Sequence, residues 1–248
     1  MANTFVQKLT SLIELSTNDI TALERATSRP RKYSAKQDMI REGDRPGPVF
    51  VVLDGWACRY KILPNGSRQI MAFLLPGDAC DLHIGMLAEM DHSLQAITDA
   101  KVALIPGEDM AGMLDDHPAI ARAMYKSQLI DEGTLRSWIV SMGRRSSIER
   151  VAHLMCELYI RSIERESDGD GYKQIALPIS QVIFADALGM TPVHINRVLR
   201  ELREAGAMSF SRGSLRVLDP VKLVQTAGFD ENYLHRRRGL RSADPLQQ

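Results

Sequence analysis

Cysteine is scarce. The 248 residues hold three, Cys58, Cys80 and Cys156, and their odd number and wide separation exclude a disulfide framework and offer no zinc or iron–sulfur ligand spacing. Buried, reduced thiols are the expectation. Long apolar runs are missing too, since no stretch approaches the roughly 18 residues needed to cross a bilayer. The opening residues, MANTFVQKLTSLIEL, lack the basic segment and long apolar core of a secretory leader, which makes the cytoplasm the expected compartment and leaves no membrane partner. Net charge is absent as well, with 31 basic and 31 acidic side chains. The balance conceals a local excess: residues 191–248 carry ten Lys or Arg against six Asp or Glu, and residues 1–190 carry twenty-one against twenty-five. What is present, 44% hydrophobic and 25% charged residues, suffices for a real core and one division into domains.

The densest signal is SQVIFADALGMTPVHINRVLR, Ser180 to Arg200. Counted from Gln181, small Ala185 falls where two helices must approach closely, and Gly189 falls where a turn needs positive φ. Phe184, Leu188, Ile195 and Val198 supply the apolar faces. Thr191 can cap the second helix and Pro192 occupies its first position, where a missing N–H costs nothing. This is the pattern of a helix-turn-helix, whose second helix enters a DNA major groove by its N-terminal half. Directly after it, Met208–Phe210 and Leu215–Val217 flank Ser211-Arg212-Gly213-Ser214, a hairpin signal that reads as a wing. The residues expected to face DNA are Ser180, Gln181, Thr191, Val193, His194, Asn196, Arg197, Arg200 and Arg212. Arg203, Arg216 and the pair Arg144-Arg145 are further candidates for phosphate contacts, which add salt-dependent affinity without sequence information.

The first hundred residues read differently. After a short helix capped near Ser16, with Ile20, Leu23 and Ala26 on one face, glycines recur at 43, 55, 66 and 77. Between them lie VFVVL, WACRYKI and RQIMAFLL, rich in β-branched and aromatic residues, and a further strand pair is expected between Ser93 and Ile105. Turns every eight to twelve residues or so predict an antiparallel roll or sandwich, an architecture that encloses a small-ligand pocket more readily than it builds an enzyme site.

A single long helix is predicted from Asp116-His117-Pro118 to Gly143, about 25 residues or roughly 37 Å at 1.5 Å per residue. Ile120, Met124, Ser127, Asp131, Leu135, Trp138 and Met142 fall three or four apart and form the expected seam against a second copy of the chain. A further helix starts at Ser146, where Ser146 and Glu149 form a capping box; its stripe of Ile148, Val151, Met155, Leu158 and Ser162 should pack on the DNA reader. ESDGDG, Glu166–Gly171, is the loop that follows. Asp219-Pro220 opens a last short helix ended by Gly228, and the basic segment after it has too little apolar content to fold alone. The predicted fold class is α+β, divided into a β-roll (1–115), a dimerisation helix (116–143), a winged helix-turn-helix (144–230) and a basic tail (231–248).

In this order the parts resemble the CRP/FNR superfamily of bacterial transcription regulators. REGD at Arg41–Asp44, VFVVLDGWACRY and LPGD at Leu75–Asp78 are similar to that family's β-roll signature, a jelly roll of the cyclic-nucleotide-binding kind. LPISQVIFADALGMTPVHINRVLRELREAGAM is similar to its winged reader. The resemblance implies a homodimer that binds a palindromic operator in double-stranded DNA and regulates transcription, often by contacting RNA polymerase. It implies no enzyme activity.

The departures are equally informative. Cyclic-nucleotide members place a Glu and an Arg-Ser or Arg-Thr pair after the Gly-Asp turn; here Leu82 and His92-Ser93 take those places, and a neutral imidazole cannot supply the bidentate charge that guanidinium gives a phosphate. Binding of cAMP is therefore not expected. Oxygen-sensing members carry an N-terminal cysteine cluster, and residues 1–40 have no Cys, so an iron–sulfur cofactor is not expected either. The effector pocket, if occupied, should involve Asp81, Leu82, His83, His92 and Ser93, with the effector itself unassigned. Cys80, Asp81, His83, Asp91 and His92 lie close enough in sequence to hold a metal, a haem iron or a proton, yet surface histidines and a packed Cys80 are the expectation, and no metal is assigned. In the reader, Val193 stands where the family usually has a Glu, while Arg197 of the same Glu-x-x-x-Arg pair is kept. A cupin-like enzyme would need paired histidines one residue apart, and His83 and His92 do not offer that. A nucleotide-responsive subunit without DNA binding would keep the roll but have no use for the wing.

Overall fold

The computed structural model describes residues 3–82, 86–163 and 174–235. The chain folds as two compact units, Met1–Glu132 and Gly133–Gln248.

The first unit opens with two helices, α1 (Thr4–Leu12) and α2 (Thr17–Ala26). Sequence reading found only the second. Its capping box is present, Ser16 Oγ accepting from the Asp19 N–H while the Asp19 carboxylate accepts from Ser16. α1 had the same kind of signal: Asn3 accepts from the Val6 N–H at 3.0 Å, and Phe5, Val6, Leu9 and Leu12 follow at helical spacing and are buried. Eight strands come next: β1 (Arg31–Tyr33), β2 (Asp38–Ile40), β3 (Val49–Asp54), β4 (Ala57–Ile62), β5 (Arg68–Leu74), β6 (Ala79–Cys80), β7 (Ser93–Ala96) and β8 (Ala100–Ile105). They form two four-stranded antiparallel sheets, ordered β1-β8-β3-β6 and β2-β7-β4-β5, the roll that turn spacing predicted. The expected Ser93–Ile105 strand pair is not a pair, however. β7 lies against β2 and β4, whereas β8 lies between β1 and β3, because the chain passes from one sheet to the other at Ile97–Asp99.

β3 is apolar at every position from Val49 to Val52, and all four are buried. A run without alternation means both faces are covered. The inner face meets the roll core. The outer face is covered by α1, whose Thr4 hydroxyl donates to the Leu53 carbonyl at 2.8 Å and whose Phe5 and Leu9 join the same apolar cluster as Val49, Val102 and Ile105. α3 (Gly107–Asp116), which the sequence reading did not anticipate, adds Met110 and Met113 to that cluster.

α4 (Pro118–Arg144) has 27 residues, passes Gly143 by one, and runs from the first unit into the second. Four of its seven predicted seam residues are buried within the chain. Ile120 and Met124 belong to the roll core and Ser127 is buried; Trp138 is buried in the second unit, where its indole N–H donates to Glu157 at 3.0 Å. These residues face the chain's own cores. The solvent face carries Leu135 of the predicted seam together with Tyr125, Leu129, Ile139 and Val140, of which Ile139 is 71% exposed.

In the second unit α5 (Ser147–Ile163) follows the predicted Ser146–Glu149 cap. It is buried on every side from Val151 to Ile160, not on one stripe, because α7, α8 and β9 all pack against it. The ESDGDG loop lies outside the described residues. β9 (Gln174–Ala176), α6 (Gln181–Leu188), α7 (Pro192–Glu204), β10 (Met208–Ser211), β11 (Ser214–Val217) and α8 (Pro220–Ala227) complete the unit, with sheet order β10-β11-β9. A 3-10 turn, Glu231–Leu234, follows. It corrects the expectation of an unpacked segment there: Leu234 is buried, and the rings of Phe229 and Tyr233 lie 5.0 and 6.0 Å from the His153 ring. The basic residues from Arg236 onward lie outside the described residues.

Candidate functional site

α6 and α7 are held by the local chemistry read from the sequence. Ser180 caps α6 by accepting from the Ile183 N–H, and Thr191 caps α7 by accepting from the His194 N–H at 3.2 Å. Between them Gly189 adopts φ +62, where an L side chain would be strained. Its N–H and that of Met190 both return to the Ala185 carbonyl. Phe184 is fully buried and meets Phe210 of β10 edge to face at 5.4 Å, locking the helix pair to the hairpin. At the hairpin tip Arg212 and Gly213 both have positive φ, the conformation that suits a two-residue turn to the twist of the strands.

α7 is sharply two-sided. Ile195, Val198 and Leu202 are buried. Val193 is 79% exposed, and Asn196, Arg197 and Arg200 are exposed beside it, with His194 half-buried. Asn196 Nδ2 donates to Gln181 Oε1 at 2.8 Å, which ties the start of α6 to the outer face of α7, both residues being exposed. Arg197 Nη2 lies 3.4 Å from His194 Nδ1. Thr191 and Ser180 are exposed caps, and Arg212 and Arg216 are exposed on the wing. All nine residues expected at DNA thus lie in one unit, eight of them on the two helices or their caps and Arg212 on the wing. Of the further phosphate candidates, Arg203 and Arg144 are exposed, whereas Arg145 is half-buried and donates to the Gly228 carbonyl at 3.5 Å.

Sequence reasoning missed Arg150. Its guanidinium donates to the Leu188 carbonyl at 3.0 Å and to the Met142 and Arg145 carbonyls at 3.2 Å each, so one cation serves the open carbonyl ends of α4 and α6 together. It also missed Glu157, which is fully buried and accepts from Trp138, Tyr233 and Arg161. Only the apolar run around Glu157 hinted at either.

The roll carries a second group of polar side chains. Asp81, with φ +59, and Leu82 are half-buried; Leu82 packs on the apolar core. His92 is 8% exposed and so is not a surface histidine as expected. Its Nδ1 lies 2.7 Å from Asp91 Oδ1 and its Nε2 lies 3.2 Å from Asp81 Oδ2. Ser93 is buried, and its hydroxyl accepts from the Glu42 N–H at 3.0 Å, which occupies it in bracing the REGD turn. His83 lies outside the described residues. Arg59 of β4, which the sequence did not single out, reaches into the group: its Nε donates to Cys80 Sγ at 2.9 Å, and its guanidinium stands 3.8 Å from Asp81 and 4.0 Å from Asp131 of α4. Burial pushes the Asp81 carboxyl up, but His92 and Arg59 outweigh it and hold it at about 2. Burial drives the Cys80 thiol well up. For the cyclic nucleotide that this kind of roll accepts in other proteins, the fit is poor: Leu82 offers no carboxylate to a ribose, and Arg59 is already committed to acidic neighbours.

Residues 30–117 match the family model for a cyclic nucleotide-binding domain, and residues 149–226 match that for a Crp-like helix-turn-helix domain. Among curated proteins, the nitrogen fixation regulation protein FixK of Bradyrhizobium diazoefficiens is 27% identical over 195 residues, covering 79% of this chain and 80% of the relative. The transcriptional activator protein FnrL of Cereibacter sphaeroides is 26% identical over 208 residues, 82% of each chain. Among solved structures, FixK2 from Bradyrhizobium japonicum superposes with a TM-score of 0.72 at 24% identity, covering 82% of this chain and 98% of that one. A roll with two β-sheets, a long helix and a winged helix-turn-helix, matched in both halves by these models, place the chain in the CRP/FNR superfamily of transcription regulators.

Proposed function

We propose that two copies of this chain form a sequence-specific DNA-binding regulator of transcription, with α7 lying in the major groove. The reading is carried by one observation: α7 buries Ile195, Val198 and Leu202 and turns Val193, Asn196, Arg197 and Arg200 to solvent, a polar N-terminal face that the core of its own unit does not use. Arg197 can contact a guanine edge, Asn196 and His194 can reach neighbouring bases, and Val193 can meet a thymine methyl. Arg200, Arg212 and the caps Ser180 and Thr191, with Gln181, would hold the backbone phosphates. The exposed apolar stripe of α4 supports the dimer. Tyr125, Leu129, Ile139 and their neighbours recur at heptad spacing and would meet their two-fold mates, presenting the readers to successive turns of a palindrome. Contact with RNA polymerase and a cytoplasmic location belong to the same reading; among the described residues no helix is long and apolar enough to cross a membrane. The four-part division into roll, dimer helix, reader and basic tail is proposed on the same basis.

Selection of bound oligonucleotides from a random pool, followed by gel-shift titration of the consensus, tests the proposal. Arg197→Ala should weaken the consensus complex by roughly 1–3 kcal/mol while leaving binding to random duplex nearly unchanged. Equal affinity of wild type for every duplex, or an unchanged consensus affinity in the variant, would refute it.

A further inference from the structure

We propose that Cys80, Asp81 and His92 form a binding site for a divalent transition metal, zinc being the best match. Their ligand atoms, one thiol sulfur, one carboxylate oxygen and one imidazole nitrogen, all lie within 4.8 Å of one another. Cys80 Sγ stands 2.9 Å from Asp81 Oδ2, and His92 Nε2 stands 3.2 Å from the same oxygen. Tetrahedral zinc holds such atoms at about 2.0–2.3 Å from the ion, hence roughly 3.5 Å apart, so shifts within an ångström or so suffice. The fourth position falls to solvent or the second Asp81 oxygen.

Two features distinguish this trio from a chance cluster. The first is His92 Nε2, which is buried and stands 3.2 Å from Asp81 Oδ2 on the side of Cys80 without the geometry of a hydrogen bond. Such an atom, on a side chain nine-tenths buried, is costly unless something else satisfies it. The second is the outer ring of contacts. Asp91 Oδ1 lies 2.7 Å from His92 Nδ1, the carboxylate–histidine arrangement that fixes a metal-bound imidazole with its other nitrogen toward the ion. Arg59 Nε donates to Cys80 Sγ, a contact that stabilises a thiolate. Among the described residues the charges around the trio are Asp81 and Asp131, which face Arg59, and Asp91, which faces His92 and feels Lys61. Binding is a simple exchange without oxidation, in which the sulfur–metal bond forms as the thiol proton leaves to water.

The test uses the full chain, stripped with chelator, kept reduced and titrated with Co²⁺. The expected result is one equivalent per chain with a near-ultraviolet sulfur-to-cobalt charge-transfer band, bleached by Zn²⁺. Cys80→Ser and His92→Gln should abolish it, a Cys58→Ser/Cys156→Ser variant should keep it, and Asp91→Asn should keep it with affinity reduced 10- to 100-fold. X-ray absorption of the wild-type zinc form should show one sulfur ligand near ~2.3 Å, which holds whether or not a variant folds. No band at stoichiometric cobalt, a band that survives His92→Gln, or a zinc shell without sulfur would overturn the site. None of these outcomes depends on DNA binding.

Discussion

His153 gives the sharpest quantitative test of the second unit. The imidazole is 2% exposed, stacked on Tyr233 and set edge-on to Phe229, with Nε2 3.3 Å from the Ser137 hydroxyl. Burial, aided by the charge of Arg145, pulls its pKa down to about 4 from an ordinary value of 6.5. Below pH 6.5 the unfolded chain therefore takes up a proton that the folded unit refuses. Stability is full above that value and falls as pH drops toward 4, with a slope of up to about 1.4 kcal/mol per pH unit and a total of roughly 3 kcal/mol. A chain of two units need not unfold in one step, so the probe must report on one of them. The sequence has two tryptophans, Trp56 in the roll and Trp138 beside Glu157, and Trp56→Phe leaves the latter as a local reporter. Urea titrations followed by its fluorescence from pH 7.5 to 4 should show the loss, and His153→Phe, which keeps an aromatic ring among Phe229 and Tyr233, should remove it. Carboxylates titrate in both proteins and cancel in the difference. An equal fall in stability for both would refute the reasoning.

Three further outcomes are expected. Paired Leu129→Glu and Ile139→Glu changes on the solvent face of α4 should give a folded monomer by sedimentation velocity and cost cooperative operator binding, whereas a variant that stays dimeric would remove the proposed seam. Glu157→Ala removes the buried acceptor shared by Trp138, Tyr233 and Arg161 and should destabilise the second unit by roughly 3–5 kcal/mol in urea unfolding, with little change if the group is dispensable. Calorimetry with cAMP should show no micromolar binding, given Leu82 and the committed Arg59; a saturable isotherm would mean that the roll rearranges to admit it.

The reader was legible because its determinants are local. Ser180, Gly189, Thr191 and Pro192 each act through their own few peptide groups, and one short stretch contains them all. The roll was legible as a class from turn spacing, but not its pairing, because nothing near Ile97–Asp99 states that the chain is changing sheets. The polar group around Asp81 escaped in part for the same reason. Cys80, Asp81 and His92 stood close enough in sequence to be noticed together, whereas Arg59 reaches them only across strands, and the burial of His92 depends on elements far away along the chain. Arg150 is similar: its three acceptor carbonyls belong to two helices, and no spacing rule announces them.

α4 shows why a heptad does not by itself name its partner. Ile120, Met124, Ser127 and Trp138 recur at the spacing of a seam, but so do Tyr125, Leu129 and Ile139, one face away. A helix that carries a core on one side and a mate on the other must be apolar on both, and periodicity reports only that stripes exist. The inner stripe tolerates Ser127, Thr134 and Ser141, all buried, because small residues let the chain's own elements approach closely. The outer stripe keeps large side chains, Tyr125, Leu129, Leu135, Ile139 and Val140, that are exposed among the described residues. Burying them against a second copy would recover about 25 cal/mol for each Å² of apolar surface removed from water, and that exposed surface makes the outer face, which shares Leu135 with the seam read from the sequence, the seam of the proposed dimer.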